Sequence, residues 1–209
     1  LTSRKNFMTS ICPKDKTAKE NYKLLTGTII PRPIAFVTSS NHTGVINGAP
    51  FSFFNVVSAD PPMISLAIQR KDTSPKDTAR NILQQKEFVV HSVDEEYVDR
   101  INITAASLAA NQSEIKKAGL TLTKSEMVSV PGIKEAKVRM ECTLEHSILL
   151  GDGETATDLI IGRIKKYHLA GEIYQEDGKI DYYALNTVSR LAGSDYTKLG
   201  KQFSIQRPK

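Results

Sequence analysis

Two cysteines in 209 residues, Cys12 and Cys142, are too few and too far apart for a secretory disulfide framework or a metal-ligating cluster. Cys142 sits in an alternating strand pattern, so a buried structural thiol is expected there, and neither cysteine is given a redox role. Long apolar runs are missing too. Nothing approaches the roughly 18 residues of a membrane span, and residues 1–16 hold no continuous apolar segment of the signal-peptide kind. The expectations are therefore no membrane partner and a cytoplasmic address. The four histidines, His42, His91, His146 and His168, are isolated in sequence, which favours satisfied structural rings over a metal site. No Walker loop, Rossmann glycine fingerprint, Gly-x-Ser-x-Gly elbow or His-Glu-x-x-His helix occurs. Few side chains stand out as catalysts, the pattern expected where a bound cofactor carries the reaction.

Like-charge blocks are also absent. The net charge is +5, yet no run of five like charges occurs and most lysines are interleaved with acids, so solvated lysines and no nucleic-acid partner are expected. What is present, 40% hydrophobic and 24% charged residues, suits one domain over 1–209 with its core at about 22–200. There is no repeat, low-complexity segment or Pro/Gly/Ser linker.

Residues 17–26 place Ala18, Tyr22 and Leu25 on one side at helical spacing, with Thr17 and Glu20 in capping-box positions and Gly27 as a stop. Strands are predicted over 28–40, 45–57 (broken near 47–50), 63–69, 87–93, 138–144 and 159–169, with a turn at 151–154. Pro31 and Pro33 point to an edge or a bend. Ser74 is expected to cap a helix that starts at Pro75 and runs to about Gln85. A second helix is predicted over 95–110, with Val98, Ile101, Ala105 and Leu108 in its stripe, and 111–136 is weakly patterned. The first three strands leave no room for intervening helices, so the fold class is mainly β with peripheral helices, a closed barrel rather than a doubly wound sheet.

Two segments can carry binding chemistry. A helix start bearing Ser74, Lys76 and Thr78, aided by Arg32 or Arg70, can hold a terminal phosphate, although an ordinary capped helix with solvated charges would read the same. Residues 47–54 combine backbone polar groups with Pro50, Ser52, Phe51, Phe53 and Phe54, which suits a planar heteroaromatic ring, and small residues at 48 and 49 would admit it to the backbone. A core strand with a proline bulge is the plainer reading of that stretch.

In order and wording the chain resembles the flavin reductase-like family of FMN-binding split barrels. The match is carried by PRPIAFVTS (31–39), Gly44, Asn47, APFSFFN (49–55), Asp60-Pro61-Pro62, PKDTARNI (75–82), EFVVH (87–91), the strand from Cys142, LIIGRI (159–164), and Ser189-Arg190-Leu191-Ala192-Gly193 with Tyr196. The resemblance implies a split β-barrel binding FMN, usually as a homodimer with the flavin near the interface. It implies that Thr38, Ser39, Ala49, Pro50, Phe51, Ser52 and Phe53 line the flavin, with Asn47 in the wider cofactor-binding set. Lys76, Asp77, Thr78 and Asn81 would face the ribityl and phosphate, and Arg32 and Arg190 join the cofactor-binding set. No residue is expected to act as a catalyst. Many two-component reductases of the family carry Gly-Asp-His after the long strand. This chain has Gly151-Asp152-Gly153, so the likeness is to the flavoredoxin-like branch, with direct use of NAD(P)H in question. The expected function is an FMN-dependent oxidoreductase moving electrons from NAD(P)H or a protein donor to an acceptor. An FMN carrier without a nicotinamide site is one alternative, and a basic barrel stacking single-stranded nucleic acid on Phe51, Phe53 and Phe54 is another.

Overall fold

Where alternation and β-branching are dense the chain forms strands, and seven of them pair antiparallel into one sheet. The computed structural model describes residues 8–105 and 113–208. In chain order the strands are β1 (Ala35–Ser40), β2 (Ile46–Phe51), β3 (Phe54–Ala59), β4 (Pro62–Gln69), β5 (Glu87–Ser92), β6 (Val138–Leu150) and β7 (Thr157–Leu169). Their spatial order is β2-β1-β5-β6-β7-β4-β3. The two edge strands, β2 and β3, are consecutive in the chain and joined through Ser52-Phe53, so the sheet curls back on itself, and Ala67 N donates to Phe53 O at 2.9 Å to extend the β3–β4 pairing. This is the split barrel that the sequence leads one to expect.

Inside the barrel, Ala35 and Val37 of β1 meet Ile64, Leu66 and Ile68 of β4, Phe88 and Val90 of β5, Cys142, Ile160 and Ile164. A Cβ on Gly162 would lie 2.3 Å from Phe88 Cζ, so only glycine lets that ring lie against β7. The helix over Asp77–Gln85 closes one end with Ala79 and Ile82. Residues of the opposite parity in β1, Phe36 and the preceding Ile34, join a second cluster with Val93, Tyr97, Ile101, Ile115 and Ile133, so β1 is buried on both faces. Cys142 is fully buried, and burial pushes its thiol pKa up, as suits a structural residue.

Several boundaries differ from expectation. Helix α1 (Ala18–Thr28) has the Thr17/Glu20 capping box but runs through Gly27. It ends because Pro31 has no N–H to continue the ladder and disfavours helical geometry at Ile30. Its apolar stripe does not face the core: Tyr22 and Leu25 are exposed and only Thr26 is buried. The strand predicted from 28 starts at Ala35, after a short bridge at Arg32–Pro33. The break expected near 47–50 falls at Ser52-Phe53, because Pro50 sits in an edge strand opposite Phe36, where a missing donor is tolerated. Gly48 admits no ligand, since a Cβ there would meet Ile115 Cδ1 at 2.3 Å and Phe36 Cζ at 2.7 Å.

Lys76, not Ser74, occupies the N-cap position of helix α2 (Asp77–Gln85), and its side chain makes no capping hydrogen bond. Ser74 is held in a tight turn, exchanging backbone hydrogen bonds with Lys71 at 3.2 and 3.0 Å. The helix expected over 95–110 is observed as α3 (Val98–Ile103). Leu108 lies outside the described residues. The weakly patterned stretch supplies α4 (Glu114–Lys117) and a two-stranded ribbon.

Candidate functional site

The β2–β3 corner, the turn after β4, the start of α2 and the end of α3 surround a cavity of about 430 Å³. Its wall combines Asn47, Ala49, Pro50 and Phe51 with Lys71, Ser74, Lys76, Asp77, Thr78, Ala105 and Glu114. A second cavity of about 200 Å³ adjoins it across Pro50, Phe51 and Ala105. Apolar and polar groups share that one about equally, Ile34, Val93, Val98 and Ile101 beside Ser52, Asn102, Arg190 and Tyr196. The Arg190 guanidinium stacks 4.4 Å over the Tyr196 ring and donates to Gly193 O at 2.6 Å. A small sheet of Arg32–Pro33, Val188–Arg190 and Tyr196–Lys198 brings Arg190 there.

Electrostatics distinguish the first cavity. Among the described residues neither Lys71 nor Lys76 makes an ion pair, and Lys76, though solvent-exposed as a residue, stands at the cavity wall beside Lys71. Burial first, and the neighbouring charge second, hold the Lys76 pKa below its ordinary value. No side chain caps the α2 N-terminus, so its first N–H groups retain their partial positive charge. Asp77 in the first turn is paired with Arg80. On the opposite wall, burial raises the Glu114 carboxyl pKa and the Asp77 charge adds to it. The corner thus offers crowded cations and free N–H donors to an anion, with one carboxyl beside them to accept from hydroxyl groups.

The predicted site residues separate into groups. Asn47, Ala49, Pro50, Phe51, Lys76, Asp77 and Thr78 meet on the first cavity, while Ser52 and Arg190 face the second. Phe53 and Arg32 line a third cavity, of about 390 Å³, beyond Ser52. Arg32 does not act on a phosphate: its Nη1 donates to Thr26 O and Ile29 O and its Nη2 to Leu191 O, capping the end of α1. Arg70 is likewise committed elsewhere, in a bidentate pair with Asp158. Thr38, Ser39 and Asn81 are buried and line none of these cavities. Thr38 donates to Pro131 O at 2.7 Å, and Asn81 Nδ2 donates to Ser39 Oγ at 3.2 Å, tying α2 to β1. Asn47 Nδ2 donates to Thr78 Oγ1 at 2.8 Å and ties α2 to β2. The three phenylalanines form no exposed row: all are half-buried, Phe51 and Phe54 against the barrel core, with Phe53 6.3 Å from Tyr22.

Lys71, Glu114 and Asn102 were not anticipated from sequence. Lys71 could have been found from the basic pair it forms with Arg70 just ahead of Ser74. Glu114 carried no signal, because its stretch has no clear period.

Known proteins resemble this chain in sequence and in structure. The model of the flavin reductase like domain matches residues 26–186. A Bacillus subtilis protein described only as uncharacterised is 51% identical over 195 residues, 92% of this chain and 95% of its own. The crystal structure of nitrilotriacetate monooxygenase component B from Bacillus cereus is 54% identical with a TM-score of 0.93, covering 96% of this chain and 100% of that one. The structure of 2-nitrobenzoate 2-nitroreductase from Pseudomonas fluorescens is 31% identical with a TM-score of 0.86, covering 96% of each chain.

Proposed function

This chain belongs to the flavin reductase-like family, and from that premise we propose that it is an oxidoreductase working through bound FMN. The observation that carries the reading is the pairing of Lys71 and Lys76 at an uncapped helix start, on the same wall as Pro50 and Phe51 and next to a second cavity of mixed polar and apolar lining. The donor set suits a phosphate monoester, and the second cavity suits a planar ring. Lys71, Lys76 and the α2 N–H groups would hold the phosphate, Glu114 and Thr78 would meet ribityl hydroxyls, and Pro50 and Phe51 would lie against the ring. The flavin supplies the redox chemistry when bound. The chain's own residues bind it, orient it and exclude water from one side. FMN is preferred over FAD, since the site matches a terminal phosphate. Titration of flavin fluorescence with FMN, FAD and riboflavin tests this, and equal affinity for all three would refute it.

The two similar structures are described differently, one as a component of a nitrilotriacetate monooxygenase and the other as a 2-nitrobenzoate 2-nitroreductase. The acceptor here is accordingly to be assayed directly, with NADH, NADPH and protein donors on the other side. One feature favours a second reading, an FMN carrier that takes electrons from a protein. The Gly151-Asp152-Gly153 turn has Gly153 at φ +61° and offers no imidazole. On that reading NAD(P)H reduces the bound flavin far more slowly than dithionite does, and bleaching by NADH or NADPH within milliseconds of anaerobic mixing would exclude it.

The protein works as a homodimer in this proposal. Val56 and Val57 on edge strand β3 and Leu25 and Ile29 near α1 are exposed apolar groups that a second copy would cover. Light scattering tests this, with the 23.1 kDa monomer at micromolar concentration as the refuting result. No helix among the described residues is long and apolar enough to cross a membrane.

A further inference from the structure

The turn that presents Lys71 and Lys76 to the cavity is held in an unfavourable backbone shape. Asp72 and Thr73 both lie in the left-handed region, at φ 51° and 66°, between the mutually bonded Lys71 and Ser74. A two-residue hairpin turn of this kind favours Asn and Gly, and a β-branched threonine at positive φ is a genuine outlier. Strain of that sort persists only where surrounding structure over-determines it, and it gathers at ligand clamps.

The over-determination comes from Arg70. Its Nε and Nη2 donate to Asp158 Oδ2 and Oδ1 at 3.0 and 2.8 Å, and its remaining Nη1 donates to Thr73 O at 3.2 Å. The Arg70 backbone N–H donates to Ala156 O at 2.8 Å. Asp158 is 4% exposed and sits on β7, two residues before Ile160, with Ile68 as its cross-strand partner. A carboxylate at a core-facing strand position is a poor choice for stability alone, because apolar residues usually serve as well as a buried ion pair. Its use is geometric. The fork fixes the guanidinium, and the guanidinium fixes the carbonyl of the strained residue.

We propose that Asp158, acting through Arg70, is a positioning residue for the anion grip: it holds the 71–74 turn in the shape that brings Lys71 and Lys76 together on the cavity wall. Neither Asp158 nor Arg70 lines that cavity. The inference rests on the reading that this cavity takes the FMN phosphate.

The test is a set of fluorescence titrations with FMN and with riboflavin on the full-length wild type, Asp158→Asn, Lys76→Ala and the double variant. The expectation is that Asp158→Asn weakens FMN about tenfold while riboflavin changes by less than about twofold. The double variant should lose less FMN affinity than the product of the two single losses, because both changes act on one grip. Asp158→Glu, which keeps the carboxylate, should restore part of the FMN preference. Equal losses for both ligands, or no loss for either, would overturn the positioning role while leaving the phosphate reading intact. If the wild type itself binds FMN and riboflavin alike, the phosphate reading falls and this inference with it. Should Asp158→Asn fail to fold, Arg70→Lys keeps the charge and loses the fork, and the same two criteria apply to it.

Discussion

His91 gives this protein a calculable sensitivity to acid. The ring is fully buried on β5; Nδ1 donates to Phe36 O at 2.9 Å and Nε2 accepts from Ile133 N at 3.1 Å, so both nitrogens are satisfied only in the neutral form. Burial is the main cause that lowers its pKa to about 4, opposed by the Phe36 hydrogen bond, with Arg139 lowering it further and Glu135 raising it. The unfolded chain takes up this proton near pH 6.5 and the folded chain only near 4. Stability from this residue is therefore complete above about pH 6.5, falls as the pH drops through the window and levels off below about 4. Between about pH 7.5 and about pH 4.5 the loss amounts to roughly 2–3 kcal/mol. Urea unfolding at both pH values measures it, with His91→Gln as the control that removes this titration and keeps the others. The variant will be less stable at neutral pH, yet it should lose roughly 2–3 kcal/mol less than the wild type on acidification. Equal losses would show that His91 does not titrate as its burial demands.

Lys76→Ala should weaken FMN roughly tenfold or more and leave riboflavin nearly unchanged, because the lost charge-assisted hydrogen bond acts on the phosphate alone; equal losses in parallel titrations would place Lys76 elsewhere. Gly162→Ala should destabilise the barrel by about 1–3 kcal/mol in urea melts, since its new Cβ would meet the fixed Phe88 ring, and an unchanged midpoint would refute the close contact. A thiol reagent should label one cysteine in the native protein and two after denaturation, because Cys12 is exposed while Cys142 is buried with its pKa raised; two native labels would contradict the core assignment.

What the sequence made legible was governed by local rules. The alternation from Val138 to Leu144 identified β6 because that stretch is half-buried, and the Thr17/Glu20 pair identified the start of α1 because a capping box closes within one turn. The misreadings trace to side-chain contacts that no local sequence pattern announces. Ser74 lost the N-cap position to Lys76 because it is held in a turn whose support, Asp158, lies 88 residues from Arg70. Arg32 looked free because nothing local shows its side chain folding back onto the carbonyls of α1. Gly48 looked like an opening for a ligand because Ile115, which fills it, comes from a stretch without a period. For the same reason Glu114 on the cavity wall was invisible. Asn47, Pro50, Phe51, Lys76 and Thr78 were found because each sits in a short motif that also forms a continuous piece of wall.

The connection between β4 and β5 explains why core and site depend on each other. It leaves one side of the barrel through the strained turn, crosses the open end as α2 and rejoins the sheet on the other side. Ala79 and Ile82 on α2 belong to the barrel core, while Lys76 and Asp77 at its start belong to the cavity wall, within two turns of one helix. Asn47 to Thr78 and Asn81 to Ser39 fix the helix against β2 and β1. A shift of α2 that relieved a cavity at Ile82 would therefore move Lys76 as well. Packing at the barrel end thus sets where Lys76 stands on the cavity wall, and on the proposed function it bears on how tightly a phosphate is held.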